Sequence, residues 1–316
     1  MKLVFPDYLE LLDEDWQALN RLGEVTRYDD IPASETELIQ RIQGAELIGT
    51  AVVAITPSVI QQCPHLRYIV VPGIGYNHVD VAAATEAGIQ VMNCPTNNVL
   101  AVAEFTLGLM FAITRRIVTA HGLLTQGIWD FKPLQGVELS GKKLGLIGHG
   151  AIAQAVEQRA IALGMTVTYA TSKTSPEQLD RLLAESDIVS LHLPLTPQSK
   201  YLLDERRLRL MKPTAYLINT ARGAIVDPKA LLTVLQEKRI AGAALDVFEQ
   251  EPTDGTTSPE IQALAQLDNV VLTPHIAYNS QEALARLGQE ILQAIAACLK
   301  GDPINVVNAI SKKDKR

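Results

Sequence analysis

The segment KLGLIGHGAIA, residues 143–153, constrains this chain more than any other. An apolar run reaching Ile147 ends in Gly148-His149-Gly150-Ala151-Ile152-Ala153, and a helical pattern continues to Leu163. A glycine-rich turn between a buried strand and a helix opens a dinucleotide-binding unit. Gly148 permits the tight turn, Gly150 lets the backbone approach a pyrophosphate, and Ala153 lets helix and strand pack closely. The amides of Ala151 and Ile152 stand at the positive end of the helix, where phosphate charge is favoured. No Lys-Ser or Lys-Thr pair follows, which argues against a P-loop NTPase.

The rest of the chain repeats this grammar. Short apolar runs alternate with longer helical patterns, which implies an α/β fold of parallel sheets covered by helices. Lys2–Phe5, Ala45–Ala54, Leu66–Val71 and Gln90–Met92 read as strands, and Asp7–Leu22 as a helix. One long apolar helix is predicted from Asn98 to Ala120, followed by a polar excursion over Thr125–Ser140. A second series of strands then runs through Lys143–Ile147, Met165–Ala170, Asp187–His192, Ala215–Asn219, Gly242–Asp246 and Val270–Leu272. The first series looks one element short, so the closing helix Gln281–Leu299 is expected to lie back across it. The basic tail Ser311–Arg316 is expected to be disordered.

With 316 residues the chain has room for two domains. A net charge of −7 argues against nucleic acid or an anionic membrane surface as partner, while leaving room for a locally positive pocket. Cys63, Cys94 and Cys298 are widely spaced and form no CxxC pair, which fits a reducing, cytoplasmic compartment. Pro6 and Asp7 interrupt the place where a signal peptide needs an apolar run, and no run is long enough to span a bilayer. No metal site is expected.

A dinucleotide fold commonly carries an acidic residue after its second strand, where it binds the adenosine ribose 2′-hydroxyl. Here Thr171-Ser172-Lys173 occupies that position. A carboxylate would repel a 2′-phosphate, whereas hydroxyls and an ammonium accept one. NADP is therefore expected to be tolerated or preferred over NAD.

Three further segments, Asn219-Thr220-Ala221-Arg222-Gly223, Asp246-Val247-Phe248-Glu249-Gln250-Glu251-Pro252 and Thr273-Pro274-His275-Ile276-Ala277, complete the pattern. With the glycine loop and Leu191-His192-Leu193-Pro194-Leu195-Thr196, they resemble the D-isomer-specific 2-hydroxyacid dehydrogenases over about residues 70–305. The resemblance implies hydride transfer between NAD(P)H and a small 2-oxo acid. It assigns Arg222 to the substrate carboxylate and carbonyl, His275 to acid–base work, and Glu251 to the histidine. The chemistry suits these residue types. Negative charge builds on a ketone oxygen as hydride arrives, an imidazolium can hand over a proton, and a carboxylate beside it favours that cation. A planar guanidinium holds a carboxylate in a fork. All three follow strands of one sheet, at the carboxyl ends where ligands gather.

By the same resemblance Thr220, Ala221, His192, Pro194 and Ala277 lie against the cofactor, and Asp246 accepts from the nicotinamide carboxamide. The amides of Ile74 and Gly75, in the loop Pro72–Tyr76, are matched to the substrate carboxylate. Asn98 is similar to an active-site Asn of some members, and equally suits a plain helix N-cap. Two departures stand out. Ala153 replaces the third glycine, and the stretch Thr171–Asp187 lacks the additional short strand the family usually has.

The resemblance further implies two Rossmann-like, doubly wound parallel-sheet domains. Residues 96–283 would bind the dinucleotide. Residues 1–95 with 284–316 would form a flavodoxin-like substrate domain from both chain ends. A homodimer through the long helix and the Thr125–Ser140 excursion is implied as well. The Gly75–His78 loop and the lack of a C-terminal regulatory domain look more like glyoxylate/hydroxypyruvate reductases than phosphoglycerate dehydrogenases. A NAD(H)-binding regulator of the corepressor type, on the same fold, is the alternative that fold alone leaves open.

Overall fold

A computed structural model describes residues 1–252 and 255–308, so the basic tail lies outside the described residues. The chain divides into two compact units, one of Met1–Asn98 with the stretch from Asn279 onward, the other of Val99–Tyr278.

The first unit begins with β1 (Lys2–Phe5), α1 (Asp13–Leu22), β2 (Glu24–Arg27), α2 (Glu35–Ile42), β3 (Leu47–Gly49), α3 (Pro57–Gln62), β4 (Tyr68–Val71), α4 (Val81–Glu86) and β5 (Gln90–Asn93). Its five parallel strands lie in the order β2-β1-β3-β4-β5, the flavodoxin-like arrangement. The predicted helix over Asp7–Leu22 starts six residues late, at Asp13. Asp7 is instead fully buried, and its carboxylate accepts from the amides of Ala51, Val52 and Val53 and from Thr50 Oγ1. That grip also explains why the strand expected over 45–54 ends early: the Thr50 amide still donates to the Val70 carbonyl of β4, but the amides of Ala51, Val52 and Val53 serve Asp7, not a sheet neighbour.

The second unit begins with α5 (Val99–Thr114) and α6 (Ile117–Thr125). The single long helix predicted here is broken, because Arg116 takes a left-handed backbone (φ 52°) between the two. Then come β6 (Lys143–Ile147), α7 (Ala151–Ala162), β7 (Thr166–Ala170), α8 (Pro176–Glu185), β8 (Ile188–Leu191), α9 (Glu205–Leu210), β9 (Tyr216–Asn219), α10 (Pro228–Gln236), β10 (Gly242–Leu245), α11 (Pro259–Ala265) and β11 (Val270–Leu272). The sheet is parallel throughout, in the order β11-β10-β9-β8-β6-β7. Strands such as Ile188–Leu191 and Gly242–Leu245 are buried at every position, as strands covered on both faces of a parallel sheet are. On one face the small side chains of Ala153, Val156 and Ala160 let α7 pack closely with α5 over β6. On the other face α8, α9 and α10 cover the sheet through Leu183, Leu208 and Val234.

The strand missing after Thr171 leaves β7 at the edge of this sheet, with Thr166, Thr168 and Tyr169 exposed. Tyr169 stacks on His149 there, with ring centroids 3.7 Å apart, and His149 pairs with Glu157 at 2.7 Å. The closing helix α12 (Gln281–Leu299) returns to the first unit, where Leu287, Ile291 and Ile295 join Leu3, Phe5 and Trp16 in one core. Gly288 makes that approach possible, since a Cβ on it would sit 2.0 Å from Asp15 Oδ2. Both sheets are therefore doubly wound, with ligand crevices expected where the strand order reverses, at β1/β3 and at β6/β8.

Candidate active site

In the second unit, five consecutive sheet positions end in the residues singled out from sequence. Beyond β6 lies the Gly148–Ala153 turn, beyond β8 His192, beyond β9 Thr220–Arg222, beyond β10 Asp246–Glu251, and beyond β11 His275–Ala277. Neighbouring strands are about 4.8 Å apart, so the chemistry-bearing ends of β9 to β11 span only about 10 Å.

The glycine turn has the shape a dinucleotide needs. Gly148 has φ +95°, and a Cβ on it would lie 2.1 Å from the His192 carbonyl oxygen. Gly150 has nothing within 4 Å of where a Cβ would stand, so its outer face is open. Gly150 caps α7 without any side-chain hydrogen bond, which leaves the amides at the helix start to a ligand. Ala153 is fully buried against the sheet, as its place in the turn requires. These features fit a pyrophosphate. At the end of β7, Thr171, Ser172 and Lys173 are exposed, and Thr171 Oγ1 accepts from the Lys173 amide at 3.3 Å. Across the turn, His192 Nε2 lies 2.9 Å from Ser190 Oγ, and burial pushes the imidazole down to about 4, so it is neutral near pH 7. Pro194 is exposed beyond it, with its carbonyl held by Ser199 Oγ at 2.7 Å.

Arg222 is shaped by its own turn. The side chain of Asn219 accepts from the Ala221 amide at 3.0 Å and donates to the Arg222 carbonyl at 3.0 Å. Thr220 Oγ1 meets Thr106 Oγ1 of α5 at 3.0 Å. Arg222 Nη1 donates to the Ala221 carbonyl at 2.7 Å, and Nε and Nη2 donate to nothing among the described residues. Burial lowers the guanidinium's pKa, an effect the charge of Glu251 partly offsets. A half-buried cation with unspent donors is a seat for an anion.

His275 Nδ1 lies 2.6 Å from Glu251 Oε2. The carboxylate accepts, so Nδ1 carries the proton and Nε2 is left for other work. Burial alone would raise the Glu251 carboxyl, but its hydrogen bond and charge pairing with His275, the Phe248 amide at 3.1 Å and the charge of Arg222 together hold it low. Glu251 therefore touches both partners electrostatically, and the three residues expected from sequence do meet.

Asp246 does something the sequence did not reveal. It is fully buried, and its carboxylate accepts from Thr273 Oγ1 (2.6 Å) and from the amides of Ile276 (3.0 Å) and Ala277 (2.9 Å). Its carbonyl accepts from the His275 amide at 2.8 Å. Asp246 thus builds the turn in which His275 adopts φ 54°, a left-handed conformation that persists only where its surroundings fix it. Asn219 was missed too, although an Asn opening a turn is a legible signal.

In the first unit, the amides of Ile74 and Gly75 donate no hydrogen bond among the described residues, while the Ile74 carbonyl is held by Asn93 Nδ2 at 2.9 Å. Asn98 Oδ1 is buried with no hydrogen-bond partner, so the plain N-cap role weighed from sequence is not the one its side chain performs. Among the described residues there is no His, Cys, Asp and Glu group able to hold a metal ion, and no helix long and apolar enough to cross a membrane.

Comparison with known proteins agrees with this layout. Residues 107–277 match the family described as D-isomer specific 2-hydroxyacid dehydrogenase, NAD binding domain. A glyoxylate reductase of Thermofilum pendens is 42% identical over 88% of this chain and 86% of its own length. An acyclic imino acid reductase, solved with NADPH and D-Arg, is 34% identical over 98% of this chain and 100% of its own, with a TM-score of 0.89. The D-lactate dehydrogenase of Aquifex aeolicus, solved with NAD and lactic acid, is 30% identical with a TM-score of 0.87, over 98% of this chain and 100% of its own. A nucleotide-type turn, an Arg–Glu–His cluster on adjoining strand ends and a family match over more than half the chain lead to one assignment: this chain belongs to the D-isomer-specific 2-hydroxyacid dehydrogenases, NAD-binding oxidoreductases.

Proposed function

We propose that the protein reduces small, unphosphorylated 2-oxo acids of the glyoxylate and hydroxypyruvate kind to D-2-hydroxy acids, with NADPH or NADH. The observation that carries this is the 2.6 Å bond between His275 Nδ1 and Glu251 Oε2 beside an Arg222 whose Nε and Nη2 are unspent. When bound, the reduced nicotinamide supplies the hydride. Arg222 orients the substrate carboxylate and carbonyl, and the fixed geometry lowers the entropic part of the barrier. His275 gives a proton from Nε2 to the carbonyl oxygen as charge develops, and Glu251 keeps the imidazole oriented and steadies its cationic form.

Gly148, Gly150, Ala151 and Ile152 hold the pyrophosphate, and Thr220, Ala221, His192, Pro194 and Ala277 line the rest of the cofactor; Asp246, expected there as well, is fully buried and supports this face from behind through Thr273, Ile276 and Ala277. The unit Val99–Tyr278 acts as the dinucleotide domain, within the 96–283 expected from sequence, and Met1–Asn98 with the stretch from Asn279 onward acts as the substrate domain, which keeps α12 whole. The exposed Thr171, Ser172 and Lys173, with no carboxylate among them, favour NADPH. The glyoxylate reductase relative supports the substrate class. We place the protein in the cytoplasm, in keeping with three free, buried cysteines. We read it as a homodimer, because α6 buries no residue and Trp129 and Phe131 are 85% and 75% exposed.

The test is steady-state kinetics with glyoxylate, hydroxypyruvate, pyruvate and a phosphorylated 2-oxo acid, each with NADPH and NADH. The first two should turn over best and the phosphorylated acid worst, with NADPH preferred. No cofactor oxidation with any of them would overturn the enzymatic reading, and a strong NADH preference would overturn the role of Lys173.

A further inference from the structure

The loops carrying Arg222 and Glu251 are held together by three contacts that form a closed ring. The first joins residues 201–203 to the segment just after Arg222. The Tyr201 amide donates to the Ala224 carbonyl at 2.9 Å, the Leu203 amide donates to the Ile225 carbonyl at 3.1 Å, and Leu203 bridges Val226 in parallel. Leu203 and Ile225 are fully buried, so this side is anchored in the core. The second joins Gly223 to Phe248 and Glu249 by backbone contact so close that a Cβ would lie 1.9 Å from the Phe248 carbonyl carbon. The third closes the ring: Tyr201 Oη donates to Glu249 Oε1 at 2.5 Å, two residues before Glu251.

Two sides of the ring are backbone and core. The third is one side-chain hydrogen bond. Tyr201 reaches it from a left-handed backbone, φ 51°, which a bulky residue adopts only where its contacts demand it. Lys200 Nζ adds a cation 3.8 Å from the same Glu249 oxygen, although its side chain is half exposed and screened. The hydrogen bond to Glu249 pushes the phenol up to about 12, so the hydroxyl remains a donor at any working pH.

We propose that Tyr201 is a positioning residue for the reaction, fixing the spacing of Arg222 and Glu251 through its bond to Glu249. This rests on the catalytic reading of Arg222, Glu251 and His275 given above. Tyr201→Phe keeps the ring and the packing and removes only the donor. Measured with glyoxylate and NADPH, it should lower kcat about tenfold, because loosening the reacting groups by a fraction of an ångström is costly. KM for NADPH and the thermal midpoint should stay unchanged. Glu249→Ala should match it, Glu249→Gln should recover most of the activity because an amide oxygen still accepts, and Tyr201→Phe/Glu249→Ala should be no worse than either single change.

The role is overturned if Tyr201→Phe keeps kcat within twofold of the parent, if KM for NADPH rises in step with the loss, or if the two changes add. Arg222→Ala and His275→Ala run alongside as controls. Loss in those two with silence in Tyr201→Phe overturns the positioning role alone. Silence in all three overturns the catalytic reading and the positioning role with it.

Discussion

Gly223→Ala tests the joint between the Arg222 and Glu251 loops most directly. The added Cβ would lie 1.9 Å from the Phe248 carbonyl carbon, 2.2 Å from its oxygen and 2.3 Å from the Glu249 nitrogen. Ordinary contact begins near 3.4 Å, so the loops must part by about 1.1 to 1.5 Å. No flexible side chain is available to yield, because all three atoms are backbone. Overpacking of this kind costs up to about 3 kcal/mol, which for a unit of this size lowers the thermal midpoint by about 6 to 12 °C. The functional effect should be larger. A shift of about 1 Å between groups that must converge on one substrate costs about a hundredfold in rate. We therefore expect kcat/KM for glyoxylate to fall about a hundredfold at a temperature where the variant is still folded, with cofactor binding changed far less. The assay pairs a thermal melt with initial rates at 25 °C. A midpoint within 2 °C of the parent and kcat/KM within about threefold would refute the close joint and the reasoning built on it.

The glycine turn should separate two roles. Gly150→Ala, with open space around its Cβ, should leave the melt unchanged and weaken cofactor binding about tenfold or more, whereas Gly148→Ala, at φ +95° and 2.1 Å from the His192 oxygen, should cost about 2 to 3 kcal/mol of stability. Cofactor fluorescence titration and melts distinguish them. Arg222→Lys should raise KM for the 2-oxo acid about tenfold with little change for the cofactor, since a point charge replaces a planar fork. His192 should tilt stability with pH. Its folded pKa of about 4 lies below the unfolded value near 6.5, so above pH 6.5 both states are neutral and nothing changes. Between pH 6.5 and 4 only the unfolded chain takes up the proton, and stability falls by about 2 to 3 kcal/mol. Denaturant melts without added cofactor should show this extra slope in the parent and not in His192→Gln; equal slopes would remove the premise that the ring is buried neutral.

The fold was legible where the sequence pattern had one physical solution. Short apolar runs flanked by turn residues and spaced by helical patterns, such as Tyr68–Val71, read as strands buried on both faces, and their alternation with helices points to parallel sheets. It was illegible where a contact distant in sequence decided the backbone. Nothing local marks the break at Arg116, and the delayed start of α1 depends on Asp7 meeting amides more than 40 residues away. The same division runs through the site. Arg222, Glu251 and His275 were legible through the motifs that resemble the family's, and a guanidinium, a carboxylate and an imidazole after strands of one sheet suit the chemistry that the resemblance implies. The residues that hold them were harder to read: Asn219 and Asp246 act on backbone groups that any sequence possesses, and Tyr201 acts on a carboxylate 48 residues away. Asp246 makes the point sharply. Read as a cofactor contact, it carries one hydrogen bond. Seen in the fold, it accepts from Thr273, His275, Ile276 and Ala277 at once and keeps a histidine in a conformation that it would leave if released. Removing that carboxylate, which is itself fully buried, would strip three donors of their acceptor, so the turn itself, and not just a contact, depends on it.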